Sequence, residues 1–406
     1  MAKEKGKFSF SDMSKSLNKI AKTNKNTSII IQDRDNVVKP DLISTGIYTL
    51  NAALSGDILG GVPSNRITVF AGESGVGKSY LCYNIAREAQ KMGYSIIYID
   101  TEFAIEFDQL PNYGIDTDPE KFQLISSNII EDIKIMMTQF LDDLKNQKSE
   151  GKEMQKIIII LDSIGMLASR KEVNDALDGK EKADFTKAKA LGSFFRIINS
   201  DLGYLNIPLI CTNHSYKTMD LYPVDTQKGG ESTKYSASNI CFLSKSKLKE
   251  EGEMDDLDMG QSGILVTAKM TKNRMVKPKK VKFEISFVSG SNKYVGLDYW
   301  LEDGEHFEEI GIGKGKVVDG TFIPGGNRWY VHHLGGHIKK ELLFTSKVFT
   351  PEVLEKLRPI IKEYFRYKSI TELEDLAAKM EDIKTSKKLD NESDDFDIDS
   401  FMDDDE

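Results

Sequence analysis

Cysteine is scarce in this chain, with three residues in 406. Cys82, Cys211 and Cys241 each lie in apolar surroundings, on one predicted helix and two predicted strands. An odd and sparse set of cysteines argues against the disulfide framework that small secreted proteins use for stability. We therefore expect buried thiols in a reducing compartment.

Long apolar runs are also missing. No stretch approaches the roughly 18–20 apolar residues that a membrane-spanning helix needs. The first residues of the chain are polar and contain several lysines, without the apolar segment of a secretory signal. The composition thus predicts a protein that is soluble, not secreted and cytoplasmic.

Basic residues are absent from residues 390–406, which contain ten acidic residues. The formal net charge of the whole chain is −9, so the rest of the chain carries a charge of about +1. We predict a disordered acidic tail over 386–406. A nearly neutral body is compatible with a polyanionic partner, because its basic groups can cluster locally.

The chain is organised around the glycine-rich segment 72–79, which reads GESGVGKS. It has the complete form of a phosphate-binding loop, and it lies between a predicted strand, 66–71, and a predicted helix, 79–92. The glycines let backbone N–H groups approach phosphate oxygens, and the helix N-terminus adds partial positive charge. We expect Lys78 to reach the β- and γ-phosphates of ATP and Ser79 to bind Mg²⁺. The predicted ATP-binding residues are Gly72, Glu73, Ser74, Gly75, Val76, Gly77, Lys78, Ser79 and Tyr80.

Strands and helices alternate between residues 46 and 300. Segment 157–161 is apolar throughout, which is typical of a strand covered on both faces. The alternation predicts an α/β fold with a mainly parallel central sheet, flanking helices and right-handed crossovers. The candidate strands are 66–71, 95–100, 122–126, 156–162, 206–213, 239–244, 263–270 and 281–288. The candidate helices are 79–92, 131–147 and 184–202.

The composition also suggests a division into domains. The apolar segment 28–31 reads as a lone strand, which could pair with a neighbouring subunit or with the edge of its own sheet. Beyond residue 300 a glycine-rich stretch precedes two predicted helices. The first begins at Pro351, and the second begins at Ser369 with Glu372 completing a capping box. The sequence predicts four parts. Residues 1–45 form an N-terminal arm with a helix and a strand for oligomerisation, and residues 46–304 form the core. Residues 305–385 form a small C-terminal domain, and residues 386–406 form the tail.

Polar side chains end three of the predicted strands. Asp162 closes the isoleucine-rich strand, and such a carboxylate lies near the phosphate loop, where it can hold Mg²⁺ directly or through water. Glu102 follows the strand 95–100 and could activate the water that attacks the γ-phosphate. His214 follows the strand 206–213 and could contact the γ-phosphate, with Asn213 as a competing candidate.

The order of these motifs resembles the RecA-class recombinases. GESGVGKS, YIDTE, IIIILDS and PLICTNHS follow one another as they do in that family, and the match is closer to the UvsX recombinases of T-even-type bacteriophages. The resemblance spans roughly residues 45–290 and implies a RecA-like phosphate-loop ATPase core. It implies that Glu102 activates water, with Lys78 and His214 completing the catalytic set. If a phage encodes the protein, the host cytoplasm is the expected location.

The resemblance also implies contacts between subunits and with DNA. Lys272 and Arg274 match the basic residues that reach the ATP of the adjacent subunit. Two loops, about 169–184 and 215–234, would line the filament axis and hold DNA. Each basic residue has the plainer alternative of lying on a solvated helix face. The implied DNA-binding residues are Lys189, Arg196, Gly229, Gly230, Lys234 and Tyr235.

Two positions depart from the family pattern. Gln109 falls near the place of the tyrosine that stacks on adenine in RecA, and it cannot stack in the same way. Phe107 is a nearby alternative. Glu231 falls at the place of an asparagine that contacts DNA in RecA. A carboxylate there would repel phosphate, so either the alignment or the DNA contact is altered at this position.

The sequence therefore predicts an ATP- and Mg²⁺-dependent DNA recombinase. It would form helical filaments on single-stranded DNA and catalyse homologous pairing with double-stranded DNA and strand exchange. The implied partners are other copies of the chain, a single-stranded DNA-binding protein, a recombination mediator and a helicase. The alternative is a hexameric DNA helicase of the RecA fold.

Overall fold

The structure is a computed structural model, and its first compact unit ends at Phe365 while the second begins at Arg366. Several predicted features lie outside the described residues: the strand 28–31, the DNA-binding glycines Gly229 and Gly230, Glu231, and the acidic tail 386–406. Within the described part of the chain, no helix is both long enough and apolar enough to cross a membrane. The described residues are 39–179, 186–217, 225–227, 232–248 and 262–375.

The elements of the first unit alternate as the sequence predicts. The strands are β1 Leu42–Ile43, β2 Val62–Pro63, β3 Ile67–Gly72, β4 Ser95–Asp100, β5 Phe122–Ser126, β6 Ile157–Asp162, β7 Leu209–Lys217, β8 Asp225–Gln227, β9 Asn239–Leu248, β10 Gly263–Asn273, β11 Lys280–Ser286, β12 Gly290–Ser291, β13 Ile312–Val318, β14 Thr321–Val331 and β15 Gly336–Ile338. The α-helices are α1 Tyr48–Ser55, α2 Lys78–Lys91, α3 Ile130–Ser149, α4 Arg170–Leu177, α5 Thr186–Leu205, α6 Ser232–Ser236, α7 Phe307–Ile310 and α8 Pro351–Phe365.

One large sheet forms the centre of this unit. Its strands lie in the order β12-β11-β10-β9-β3-β7-β6-β4-β5, and β8 pairs with β7 outside this order. Neighbouring strands are parallel from β9 through β5. The pairs that involve β10, β11 and β12 are antiparallel. The predicted mainly parallel α/β sheet is thus confirmed, and the carboxyl ends of its parallel strands meet at one edge.

Helices cover both faces of the parallel strands. Successive side chains of a strand point to opposite faces, so Phe70 and Val69 of β3 belong to different hydrophobic clusters. Leu81 of α2 packs in the cluster of Phe70. Ile133 of α3 and Phe195 of α5 pack in the cluster of Val69. The apolar face of α3 is therefore part of the core.

Two helices of the core were not among the candidates. Helix α1 carries buried side chains on most of its length, so it lacks a clear polar face. Helix α4 has no buried residue, so it lacks a core-facing stripe. Its start is nevertheless marked by a capping box of Ser169 and Glu172, in which each side chain accepts a hydrogen bond from the other's backbone N–H.

The residues after 304 include a three-stranded antiparallel sheet, β13-β14-β15, that the sequence reading missed. Glycines interrupt these strands and weaken their alternating pattern. Trp329 and Phe349 share one buried cluster with Leu50 of the core, so the predicted domain boundary at 305 stays a prediction. In the second unit, Ser369 and Glu372 form the predicted capping box, with hydrogen bonds of 2.7 and 3.3 Å.

Candidate ATP site and nucleic-acid interface

The phosphate loop connects β3 to α2, as the sequence predicts. Gly75 and Gly77 have φ of +69° and +90°, which favour glycine over any other residue. A Cβ on Gly72 would lie 2.6 Å from the backbone oxygen of Leu243, so β9 leaves no room for a side chain there. Val76 is buried beneath the loop. This backbone conformation is compatible with the predicted binding of phosphate by N–H groups of the loop and of the start of α2.

Lys78 is the first residue of α2 and is buried. Its Nζ donates hydrogen bonds to the backbone oxygens of Gly72, at 3.0 Å, and Glu73, at 2.8 Å. Burial lowers the pKa of Lys78 from its usual value, while the Asp162 and Glu102 carboxylates oppose this shift. The structure thus brings three of the predicted site residues together at the phosphate loop.

Asp162 lies at the end of β6, where the sequence places the magnesium ligand. The Tyr98 hydroxyl donates to Oδ2 at 2.8 Å, and the Thr212 hydroxyl donates to Oδ1. Both carboxylate oxygens therefore have protein donors already, which favours binding of Mg²⁺ through water. Ser79 is exposed at the start of α2. No group of three or more His, Cys, Asp or Glu side chains suited to a metal occurs among the described residues. Phosphate oxygens and water would have to complete the coordination.

Glu102 and His214 are brought into contact across the carboxyl edge of the sheet. His214 Nε2 lies 3.2 Å from Glu102 Oε1, and the Ser163 hydroxyl donates to the same oxygen at 2.8 Å. The Thr101 hydroxyl donates to the Ser163 backbone oxygen at 2.7 Å and accepts from its N–H at 2.8 Å. Asn213, the competing candidate, is fully buried. Ser163 was not predicted, because a serine next to an aspartate carries no distinctive pattern.

Lys245 of β9 is a second site residue that sequence reasoning missed. Its Nζ donates to the backbone oxygens of Ser74, at 3.2 Å, and Gly75, at 3.1 Å. Its positive charge contributes to the lowered pKa of Lys78. A lysine in a polar strand end gives no signal in the sequence, and only the pairing of β9 with β3 brings it to the loop.

The two residues predicted to act on a neighbouring subunit flank the end of β10. Arg274 is exposed, and Lys272 Nζ donates to the backbone oxygens of Lys234 and Tyr235 in α6. Burial lowers the pKa of Lys272, and the positive charge of Arg274 lowers it further. Between them lies the buried Asn273, which fixes the turn. A role of this pair toward the ATP of another subunit stays a prediction.

The predicted DNA-binding residues lie on two helices. Lys189 and Arg196 are both exposed on α5, about two helical turns apart and thus on nearly the same face. Lys234 and Tyr235 lie on α6, and Tyr235 is 71% exposed. Gly229 and Gly230 are outside the described residues. The DNA contacts of these residues stay predictions, because ordinary surface residues are exposed as well.

The candidates for adenine stacking lie on a short 3₁₀ helix, Phe107–Tyr113. Phe107 is 42% exposed and packs edge-on against Phe122, with ring centroids 6.1 Å apart. Gln109 accepts a hydrogen bond of 2.6 Å from Asn112. Of the two candidates, Phe107 offers an aromatic ring, whereas Gln109 offers an amide.

The fold and the site together define a nucleotide-binding α/β protein with a phosphate loop. Residues 11–292 match the RecA N-terminal domain family, and the chain belongs to that family. The predicted RecA-class resemblance is thus confirmed, and the comparisons do not support the helicase alternative.

Several known proteins are similar to this chain. The recombination and repair protein of Enterobacteria phage T4 is 31% identical over 65% of this chain and 64% of its own length. The RecA protein of Sulfurovum sp. is 27% identical over 64% of this chain and 70% of its own length. The RecA protein of Fusobacterium nucleatum is 26% identical over 68% of this chain and 70% of its own length. The chain therefore spans somewhat less than two thirds of the T4 protein.

Proposed function

We propose that this protein is a DNA-dependent ATPase that forms helical filaments on single-stranded DNA. In the filament it catalyses homologous pairing and strand exchange, and it serves recombination, repair and recombination-dependent replication. Membership of the RecA N-terminal domain family supports this function. The observation that carries it is the contact of Glu102 with His214 beside the phosphate loop, because it links a general base to a phosphate sensor.

ATP hydrolysis follows from the positions of three side chains. Lys78 neutralises charge on the β- and γ-phosphates, and Glu102 takes a proton from the water that attacks the γ-phosphate. Ser163 holds the Glu102 carboxylate through its 2.8 Å hydrogen bond. Ser79 and, through water, Asp162 hold Mg²⁺, which supplies positive charge to the phosphates when it is bound.

His214 couples the nucleotide to DNA. It lies near the middle of β7, which continues to Lys217 at the start of the second predicted DNA loop. A γ-phosphate attracts the imidazole N–H away from Glu102, and this movement orders the loop that follows β7. Hydrolysis removes that attraction and lowers DNA affinity. Contacts to the phosphate backbone bind DNA without reading its sequence, so base pairing supplies specificity.

Filament formation completes the ATP site. Lys272 and Arg274 of one subunit stabilise charge on the ATP of the next, as an arginine finger does. Lys189, Arg196, Lys234 and Tyr235, together with Gly229 and Gly230, contact the DNA. We further propose that a single-stranded DNA-binding protein, a mediator and a helicase act with the filament.

Electron microscopy in negative stain tests this function. The full chain is mixed with single-stranded DNA and a non-hydrolysable ATP analogue, and helical filaments are expected. Lys78→Ala is the matched variant, and it should give no extended filaments, because it removes the cation that binds the phosphates. Closed rings would instead favour the helicase, and dispersed monomers with wild-type protein would reject the filament.

A further inference from the structure

The phosphate loop is held from two sides by lysine ammonium groups. Lys78 binds the backbone oxygens of Gly72 and Glu73, and Lys245 binds those of Ser74 and Gly75. Four consecutive carbonyl groups of the loop are thus bound by two cations. The first lysine belongs to the loop motif, whereas the second comes from β9, far along the chain.

The position of Lys245 determines which way the loop peptides face. The carbonyl of Ser74 shares its peptide with the N–H of Gly75, and the carbonyl of Gly75 shares its peptide with the N–H of Val76. In a planar trans peptide the C=O and N–H point to opposite sides. An ammonium group on the carbonyl side therefore keeps both N–H groups directed to the other side, where phosphate binds.

Charge adds to this orientation. A cation at a carbonyl oxygen polarises the peptide group and makes its N–H a stronger donor. The Lys245 ammonium is also close enough to Lys78 to contribute to the lowered pKa of that buried lysine. Two neighbouring cations repel each other, and an anionic ligand between them relieves that repulsion.

The loop sequence leaves space for this contact. A Cβ on Gly75 would lie 2.9 Å from Lys245 Nζ, which is closer than a carbon atom can approach without displacing the ammonium group. Lys245 also lines a cleft of about 350 Å³ with Glu73 and Ser215, so the ammonium group stays accessible to water. A charged lysine at this position is therefore compatible with its surroundings.

We propose that Lys245 is a positioning residue for ATP, acting through the carbonyl groups of Ser74 and Gly75. It holds the phosphate-binding N–H groups in place and adds positive charge behind them. The inference rests on the proposed ATPase function and extends it to a residue outside the loop motif. Its effect falls on the affinity for nucleotide, since the groups of the chemical step, Glu102 and His214, are left intact.

The test compares four proteins: wild type, Lys245→Ala, Lys245→Arg and Lys247→Ala. Lys247 is an exposed lysine on the same face of β9, one side-chain repeat (about 7 Å) further along the strand. Equilibrium binding of ATP is measured without DNA, and kcat and KM of DNA-stimulated hydrolysis are measured separately. We expect Lys245→Ala to raise the Kd and KM for ATP about tenfold and to leave kcat within about twofold, as for loss of a charge-assisted hydrogen bond. Lys245→Arg should restore most of the affinity, and Lys247→Ala should match wild type.

Thermal unfolding without nucleotide separates this role from a structural one. Equal unfolding temperatures with a raised Kd support positioning, and a lower unfolding temperature with an unchanged Kd overturns it. Equal losses in Lys245→Ala and Lys247→Ala would also overturn it, because they would show a general effect of surface charge. If wild-type protein bound no ATP, the proposed function itself would fail, whereas ATP binding that is insensitive to Lys245 would reject only this inference.

Discussion

At the scale of single residues, the carboxylate of Glu102 combines restraint with access to water. Its Oε1 accepts a hydrogen bond from Ser163, and His214 lies 3.2 Å from the same atom. The side chain is nevertheless 35% exposed, so a water molecule can reach the carboxylate. A general base must be both oriented and accessible to its proton donor, and Glu102 meets both requirements.

Replacing Glu102 by glutamine tests this role. Glu102→Gln keeps the size of the side chain and an oxygen for the Ser163 hydrogen bond, but it removes the basic carboxylate. We expect DNA-stimulated phosphate release to fall about 100-fold or more, the usual effect of losing a general base. ATP binding, measured by equilibrium titration, should change only a few-fold.

Glu106→Gln is the matched control, because Glu106 is an exposed glutamate a few residues along the same segment. This variant should hydrolyse ATP at the wild-type rate. Unchanged phosphate release in Glu102→Gln would contradict the role of Glu102 as the general base.

The sequence predicted the residues of the site that belong to a recognisable motif or end a strand. Lys78, Glu102 and Asp162 fall in this group, because the carboxyl ends of parallel strands converge on one edge. His214 was predicted to follow a strand that ends at residue 213, but it lies within β7, which continues to Lys217, and it contacts Glu102. Lys245 could not be predicted in this way. Its contact depends on the neighbouring position of β9 and β3 and on the reach of a long side chain, neither of which appears in the local pattern.

At the scale of elements, the turn after β10 is fixed by one buried amide. Asn273 Nδ2 donates to the backbone oxygens of Ala53, at 2.9 Å, and Leu54, at 3.0 Å. Its Oδ1 accepts from the N–H groups of Met275, at 2.7 Å, and Val276, at 3.1 Å. The amide therefore ties the end of β10 and the turn after it to α1.

Removing this amide should loosen the turn. We expect Asn273→Ala to lower the free energy of unfolding by about 2 kcal/mol, because buried backbone groups lose their partners. Denaturant titration measures this change through the midpoint at a constant slope. Asn199→Ala, an exposed asparagine on α5, is the control and should change the free energy by no more than about 0.5 kcal/mol. Similar effects of the two variants would argue against an anchoring role for Asn273.

The predictability of an element depended on how regular its pattern is. The strands β3 to β6 and helices α2 and α3 were predicted to within a few residues, because their apolar periodicity is continuous. The β13–β15 sheet was missed because glycines interrupt its strands, although the Asp319-Gly320 turn between β13 and β14 is a hairpin signal in the sequence. The antiparallel direction of β10 and β11 was also missed, although the connection 274–279 is too short for the crossover that a parallel pair needs.

At the scale of the whole molecule, charge is distributed unevenly along the chain. Residues 390–406 carry ten acidic and no basic side chains, while the rest of the chain is close to neutral. A polyanionic segment attached to a DNA-binding protein competes with DNA for basic groups. Such competition is electrostatic, so it weakens as salt screens the charges.

Deleting residues 390–406 tests this competition. We expect the truncated protein to bind duplex DNA about three- to tenfold more tightly at low salt, with the difference shrinking as salt rises. The Mg²⁺ concentration required for strand exchange should also shift, because the acidic side chains no longer bind the cation. The matched control keeps the tail length and replaces its acidic residues by asparagine and glutamine. It should behave like the deletion if charge is the cause and like wild type if length is the cause. Unchanged duplex affinity of the truncated protein across a salt series would reject the competition outright.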